Sequence, residues 1–150
     1  MSHFVLQPTP IDGLRVIERL PIGDSRGFLE RLFCQETLDQ RLVGKTLRQV
    51  NRTLTQQKGS IRGLHFQYPP HAETKIVICM KGQVWDVAVD LRRESPTYLQ
   101  HHAVLLTEEN HLSYLIPEGF AHGFQTLTPD CEMLYFHTAD YNAEAEGVLN

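Results

Sequence analysis

The 150-residue chain has little of what marks a specialised class: one tryptophan, three cysteines, and no tract of biased composition. Cys34, Cys79 and Cys131 are odd in number, widely spaced and without a C-x-x-C partner, which argues against a disulfide framework and fits a reducing cytoplasm. No apolar run approaches the roughly 20 residues that span a bilayer, so no membrane role is expected. No charged leader with an apolar core precedes the body of the chain, a second reason to expect a cytoplasmic protein. Positive charge is not in excess either, with 14 Lys and Arg against 18 Asp and Glu and a net charge of -4. Nucleic acid is therefore not an expected partner, and any phosphate binding must come from local arginines. No repeat or linker divides the sequence, and its length suits a single domain over residues 1–150.

Helical periodicity is also scarce, limited to a turn or two around Gln35 to Leu42. Short strands are expected instead at Gly27 to Cys34, Val50 to Thr55, Ile61 to Gln67, His101 to Leu106, His111 to Ile116, Gly123 to Thr128 and Cys131 to Thr138. Lys75 to Met80 and Gln83 to Asp90 flank Lys81-Gly82, which is a hairpin signal. In the second of these runs Trp85, Val87 and Val89 form the apolar face, and Val84, Asp86, Ala88 and Asp90 a mixed one. The apolar face is the expected core side and the mixed one the side toward a cavity or solvent. Many short antiparallel strands punctuated by turns imply an all-β sandwich or barrel.

The most informative stretch is Gly59-Ser60-Ile61-Arg62-Gly63-Leu64-His65-Phe66-Gln67, where a guanidinium and an imidazole stand three residues apart upstream of Lys75. Two further segments join it: Ile116-Pro117-Glu118-Gly119-Phe120-Ala121-His122-Gly123-Phe124, and Met133-Leu134-Tyr135 before Thr138-Ala139-Asp140-Tyr141. With Asp24-Ser25-Arg26-Gly27-Phe28, Gln49-Val50-Asn51, Val84 to Arg92 and Ser95-Pro96-Thr97, these blocks run in order along most of the chain. In that order the chain resembles the dTDP-4-dehydrorhamnose 3,5-epimerase family of deoxysugar-nucleotide epimerases. The resemblance implies a jelly-roll barrel of the cupin type. Pro117-x-Gly119-x-x-His122 matches the second cupin motif, whereas the first is partial, with Gln67 where a second histidine is usual.

Taken alone, His65 is a proton acceptor near neutral pH or a core histidine that bonds a neighbour. Tyr135, between Leu134 and Phe136, is a packed aromatic or a phenolic donor, and Lys75 shares a strand face with Val77 and Cys79, where a cation needs an anion. The resemblance implies that His65 is the general base, Tyr135 the general acid on the opposite face, and Lys75 the cation that holds an enolate oxygen. It also implies substrate contacts from Arg26, Gln49, Asn51, Arg62 and His122, with the arginines on the diphosphate, because a planar guanidinium forks onto phosphate oxygens. No cofactor and no metal are expected, since His65, Gln67 and His122 form a poor ligand set. His71, His101, His102, His111 and His137 read as solvated or structural, and the role of Arg31 stays open.

One departure stands out. The family carries an aspartate roughly thirty residues beyond the tyrosine block that orients the base histidine, and the chain lacks that C-terminal extension. Two readings stay open: the sequence is a shortened form of a longer protein, or it is a natural short form in which another carboxylate such as Asp86, Asp90 or Glu132 orients His65. The expected function is epimerisation of a nucleotide-linked 4-keto-6-deoxyhexose at C3, C5 or both. The alternatives are a ketoisomerase or single-site epimerase, a non-catalytic sugar-nucleotide-binding cupin and, last, a metal-dependent cupin oxygenase. The family's exchange of N-terminal strands implies a homodimer, with Phe4-Val5-Leu6 and Ile11 expected to lie uncovered in an isolated barrel.

Overall fold

Alternating apolar side chains build two antiparallel sheets that close on each other, and the computed structural model describes residues 3–150 of them. Strands are numbered along the chain. The larger sheet holds, in spatial order, Phe4–Pro8 (β1), Arg15–Arg19 (β2), Leu112–Ile116 (β10), Lys75–Lys81 (β7), Cys131–His137 (β12) and Gln49–Thr55 (β5). The smaller holds Glu146–Val148 (β13), Ile61–Gln67 (β6), Phe120–Thr126 (β11), Gln83–Asp90 (β8) and His101–Thr107 (β9). Ile22–Asp24 (β3) and Gly27–Leu29 (β4) form a separate two-stranded arm. This is the cupin jelly roll that the motif order implied, and no helix among the described residues is long and apolar enough to cross a membrane.

The continuous β-branched run at Lys75 to Cys79 has a cause, because β7 is covered on both faces. Val77 and Cys79 enter the core between the sheets with Val16, Val84, Leu106, Tyr114 and Met133. Ile76 and Ile78 point the other way, where Leu38 and Leu42 pack on them with Leu115 and Phe136. The helical segment expected around Gln35 to Leu42 is an α-turn, Gln35–Leu38 (α1), and a 3-10 turn, Asp39–Arg41; its i, i+4 leucines cap this second core. Each fully buried Leu or Ile of this kind contributes about 1.5–3 kcal/mol.

Three expectations need correction. The Lys81-Gly82 turn does not close a hairpin: β7 pairs with β10 and β12, whereas β8 pairs with β9 and β11, so the chain crosses between sheets there. Gly82 sits at φ +84°, and a Cβ at that corner would lie 2.6 Å from Thr128 Oγ1 and 2.8 Å from Cys131 Sγ. The faces of β8 are also reversed. Val84, Asp86, Ala88 and Asp90 are buried and Trp85 is exposed, with Asp86 paired to His122 and Asp90 to Arg92, Ser95 and Thr97. Lastly, Phe4 and Ile11 are buried by the same chain while Val5 stays exposed, and the arm adds exposed apolar residues at Ile22, Phe28 and Leu29.

The arm ends where expected strand Gly27 to Cys34 breaks after Leu29. Glu30 turns inward there, 3.2 Å from Arg19 Nε and 2.5 Å from His111 Nδ1, and this buried cluster anchors the arm to β2 and β10. Asp90 does the same for the loop after β8. Its oxygens accept from Arg92 Nε (2.9 Å), Ser95 Oγ (2.6 Å) and Thr97 Oγ1 (2.6 Å), among others. Burial raises the Asp90 carboxyl, but these bonds outweigh it and hold the group well below the usual range. A depressed folded value adds stability that is complete above the unfolded value near 4 and is lost as pH falls below it. Asp90→Ala is expected to lower stability at pH 7 by about 3 kcal/mol or more. Urea titrations repeated from pH 7 to pH 2 should show the gap between parent and variant closing below about pH 4; a gap independent of pH would rule the ionised carboxylate out as its source.

Candidate active site

The barrel encloses a cavity of about 580 Å³, a volume suited to a small organic ligand. Strand alternation delivers its walls from both sheets. From the smaller sheet come Arg62 and His65 on β6 and His122 on β11; from the larger come Asn51 and Thr53 on β5, Lys75 on β7, and Tyr135 and His137 on β12. Of the eight site residues expected from the sequence, six therefore meet in one space: His65, Tyr135, Lys75, Asn51, Arg62 and His122.

The other two stand elsewhere. Arg26 lies at the tip of the arm, where it forks onto Asp24 (Nη2–Oδ2 2.6 Å) and lines a separate cleft with Ile22, Phe28 and Leu29. Its side chain is 88% exposed. Gln49 turns its Oε1 to accept from the Tyr141 backbone N–H (3.0 Å) and so fastens the C-terminal segment rather than lining the cavity.

His65 and His122 are register partners on β6 and β11. The two strands approach so closely that a Cβ on Gly63 would lie 2.7 Å from both Gly123 Cα and His122 O, at a φ of +114°. Only glycine fits there. His122 Nε2 lies 2.7 Å from Asp86 Oδ1, both groups almost wholly buried. Burial pushes the Asp86 carboxyl up, while His122 and Lys75 oppose that rise. Lys75 is pushed down by burial and supported by Glu73, whose Oε1 lies 3.6 Å from Nζ, and by Asp86.

Glu73 also meets His137 Nδ1 at 3.0 Å. Burial would raise this carboxyl, but the His137 hydrogen bond and the Lys75 charge outweigh it and leave it below the ordinary value. Tyr135 packs edge-on to His122 with ring centroids 6.2 Å apart, and burial pushes its phenol well up. It therefore keeps its proton at neutral pH, as a donor must. Arg62 is held by Nε to Thr55 Oγ1 (2.8 Å) and Nη2 to Leu54 O (3.2 Å), which orients the guanidinium along the cavity rim.

None of the three carboxylates expected to orient His65 does so. Asp86 is committed to His122, Asp90 to Arg92, Ser95 and Thr97, and Glu132 to Arg52 (3.2 Å). Glu146 on β13 takes the place, with Oε1 3.0 Å from His65 Nδ1. Sequence reasoning also passed over Glu73 and His137. The signal was available, because His137 lies two residues from Tyr135 and Glu73 two residues from Lys75, the spacing that puts strand neighbours on one face. Among the described residues no three His, Cys, Asp or Glu side chains are grouped to hold a metal ion.

A cupin barrel that brings a histidine, a lysine and a tyrosine from three strands onto one cavity has the equipment of an acid–base isomerase. The chain belongs to the dTDP-4-dehydrorhamnose 3,5-epimerase family, whose family model matches residues 8–150. The enzyme of that description from Salmonella typhimurium is 42% identical over 142 residues, covering 94% of this chain and 77% of that one. A dTDP-6-deoxy-D-glucose-3,5-epimerase from Legionella pneumophila, solved with dTDP-4-keto-L-rhamnose, superposes with a TM-score of 0.92 at 38% identity, covering 99% of this chain and 78% of that one. A 3'-monoepimerase from Streptomyces bikiniensis, solved with dTDP-quinovose, gives 0.88 at 28% identity, over 96% and 73% of the respective chains.

Gly63→Ala tests the close approach that aligns His65 with His122. The left-handed backbone and the forced separation of β6 from β11 are together expected to cost about 2–4 kcal/mol, read as a lower urea midpoint at unchanged slope. A midpoint within experimental error of the parent would show that the strands are free to part.

Proposed function

We propose that the chain is an epimerase of a dTDP-linked 4-keto-6-deoxyhexose in which His65, Lys75 and Tyr135 carry the chemistry. The observation that carries this reading is their placement: His65 on the smaller sheet, Lys75 and Tyr135 on the larger, around one cavity. A proton on carbon next to the C4 ketone leaves to His65. Negative charge then develops on the C4 oxygen, where the Lys75 ammonium receives it. A preorganised donor of this kind contributes about 3–4 kcal/mol, and a cation already weakened by burial gains from a new anion beside it. Tyr135, kept protonated by burial, returns a proton to the face opposite the base.

Arg62 and Asn51 serve the diphosphate and nucleoside end, with His122 close to the sugar and held by Asp86. Arg26 lines a cleft on the arm and not the cavity, and its binding role is exerted in a second copy. The chain acts as a single domain and as a homodimer, for which the exposed Ile22, Phe28 and Leu29 of the arm supply an apolar contact. Three free cysteines among the described residues fit a cytoplasmic location. The C3 and C5 protons both flank C4, so one cavity serves either; the likeness to a 3'-monoepimerase favours a single-site epimerase as the second reading.

Proton NMR of the nucleotide sugar in D₂O identifies the positions that exchange. His65→Asn is expected to abolish deuterium wash-in and turnover together. Tyr135→Phe is expected to retain wash-in while inversion falls by about 10²-fold or more, the scale of a lost general acid. Parent-like rates in His65→Asn would require another base. Arg62→Gln should raise KM more than it lowers kcat, since phosphate contacts persist from ground to transition state; unchanged affinity for thymidine diphosphate would remove Arg62 from the binding site.

Mixing tests the homodimer. Chains carrying Arg26→Gln and chains carrying His65→Asn, each impaired alone, should regain part of the parent activity when combined, because some cavities then pair an intact His65 with an intact arm. Additive activity together with a monomer by sedimentation at micromolar concentration would overturn the shared site.

A further inference from the structure

A histidine acts as a base through one ring nitrogen when the other carries the hydrogen, so the partner at Nδ1 decides what Nε2 can do. At His65 that partner is Glu146. It opens β13, which pairs with β6 so that Glu146 faces Gln67 and Val148 faces His65. Residues two apart on a strand share a face, which makes Glu146 the diagonal neighbour of His65 and brings Oε1 to 3.0 Å from Nδ1.

The second oxygen is occupied as well. Tyr141 Oη donates to Glu146 Oε2 at 2.5 Å, and that bond pushes the phenol up, so the hydroxyl keeps its proton. An ionised carboxylate is acceptor-only, so with Oε1 3.0 Å from Nδ1 and Oε2 accepting from Tyr141 it has no hydrogen to give the ring. Nδ1 must then carry its own, which leaves Nε2 with the free lone pair. The segment that presents these groups is fastened at several points: Asn142 N–H to Gln67 Oε1 (2.9 Å), Tyr68 N–H to Ala145 O (2.8 Å), Leu149 N–H to Leu64 O (2.9 Å), and Asn142 Oδ1 accepting from Glu144 and Ala145. The other carboxylate on the cavity, Glu73, is engaged with His137 and Lys75, and Asp86 behind it is paired with His122.

We propose that Glu146 is the positioning residue of the base: it accepts the His65 Nδ1 hydrogen, sets the tautomer that leaves Nε2 as acceptor, and stabilises the imidazolium formed when Nε2 takes a proton. The inference rests on the reading of His65 as the base. It places the orienting carboxylate on the strand beside β6, within the same sheet, with Tyr141 holding that carboxylate in turn. The titratable and charged groups around the cavity with His65 are Glu146 and Tyr141 on the C-terminal segment, Arg62 on β6, His122 on β11, and Lys75, Glu73, Tyr135 and His137 from the larger-sheet side.

Glu146→Gln separates positioning from bulk structure. Its amide can donate to Nδ1 and move the ring hydrogen to Nε2, the tautomer that cannot act as base. ¹⁵N NMR of the His65 ring should report hydrogen on Nδ1 in the parent and on Nε2 in Glu146→Gln. Deuterium wash-in should fall by about 10²- to 10⁴-fold, with thymidine diphosphate affinity unchanged. Loss of the anion beside the imidazole should also move the acidic limb of the kcat/KM profile to lower pH. Glu146→Asp, which keeps the charge, should recover part of the rate and the parent tautomer. A Glu146→Gln chain with the parent's tautomer, acidic limb and wash-in would overturn the proposal. If the parent exchanges no sugar proton at all, the epimerase reading fails, and the ¹⁵N tautomers still decide for or against Glu146.

Discussion

A carboxyl group cannot lie in a protein core without partners except at a high cost, and the inner face of β8 carries two of them. Asp86 and Asp90 are both fully buried. Their partners set much of the surrounding structure: Asp90 gathers Arg92, Ser95 and Thr97 into the loop beyond the strand, and Asp86 draws His122 from β11 and the charge of Lys75 from β7. Because β8 and β11 belong to one sheet and β7 to the other, the charge of Asp86 links the two walls of the barrel. The cavity chemistry grows from that link. A lysine too costly to bury alone becomes tenable with Glu73 and Asp86 beside it.

The same requirement recurs at each histidine on the cavity. His122 has Asp86, His137 has Glu73, and His65 has Glu146, in every case with one ring nitrogen engaged and the other left to the cavity side or the interior. A carboxylate at one nitrogen chooses the tautomer, and the tautomer chooses whether the ring accepts or donates. The three pairs differ in burial, from the enclosed His122 to the half-exposed His65.

Much of this was legible along the chain. Strand periodicity placed β5, β6, β8 and β12 to within a residue, and the family motifs named six residues that do line one cavity. What periodicity misjudged was direction. It assigned Trp85, Val87 and Val89 to the core because apolar side chains seek burial, and the barrel instead buries the face with two aspartates. Hydropathy weighs each residue alone, whereas the cost of burying Asp86 is set by His122, 36 residues away. The turn at Gly82 was misread for a related reason. Local turn chemistry is the same whether the next strand pairs with the last or passes to the other sheet.

The sequence by itself determined the class of fold and named six residues that meet in one cavity, because alternation and motif order are properties of the chain taken in line. Only the tertiary structure decided which carboxylate serves which histidine. Asp86, Asp90, Glu132, Glu73 and Glu146 are chemically alike, and their spacing from His65 ranges from 8 to 81 residues along the chain. The nearest of them, Glu73, went to His137 and Lys75; the farthest, Glu146, went to His65, because β13 lies beside β6 in the sheet. Hydrogen bonds act over about 3 Å of space, and strand pairing, not sequence distance, sets which groups fall within it.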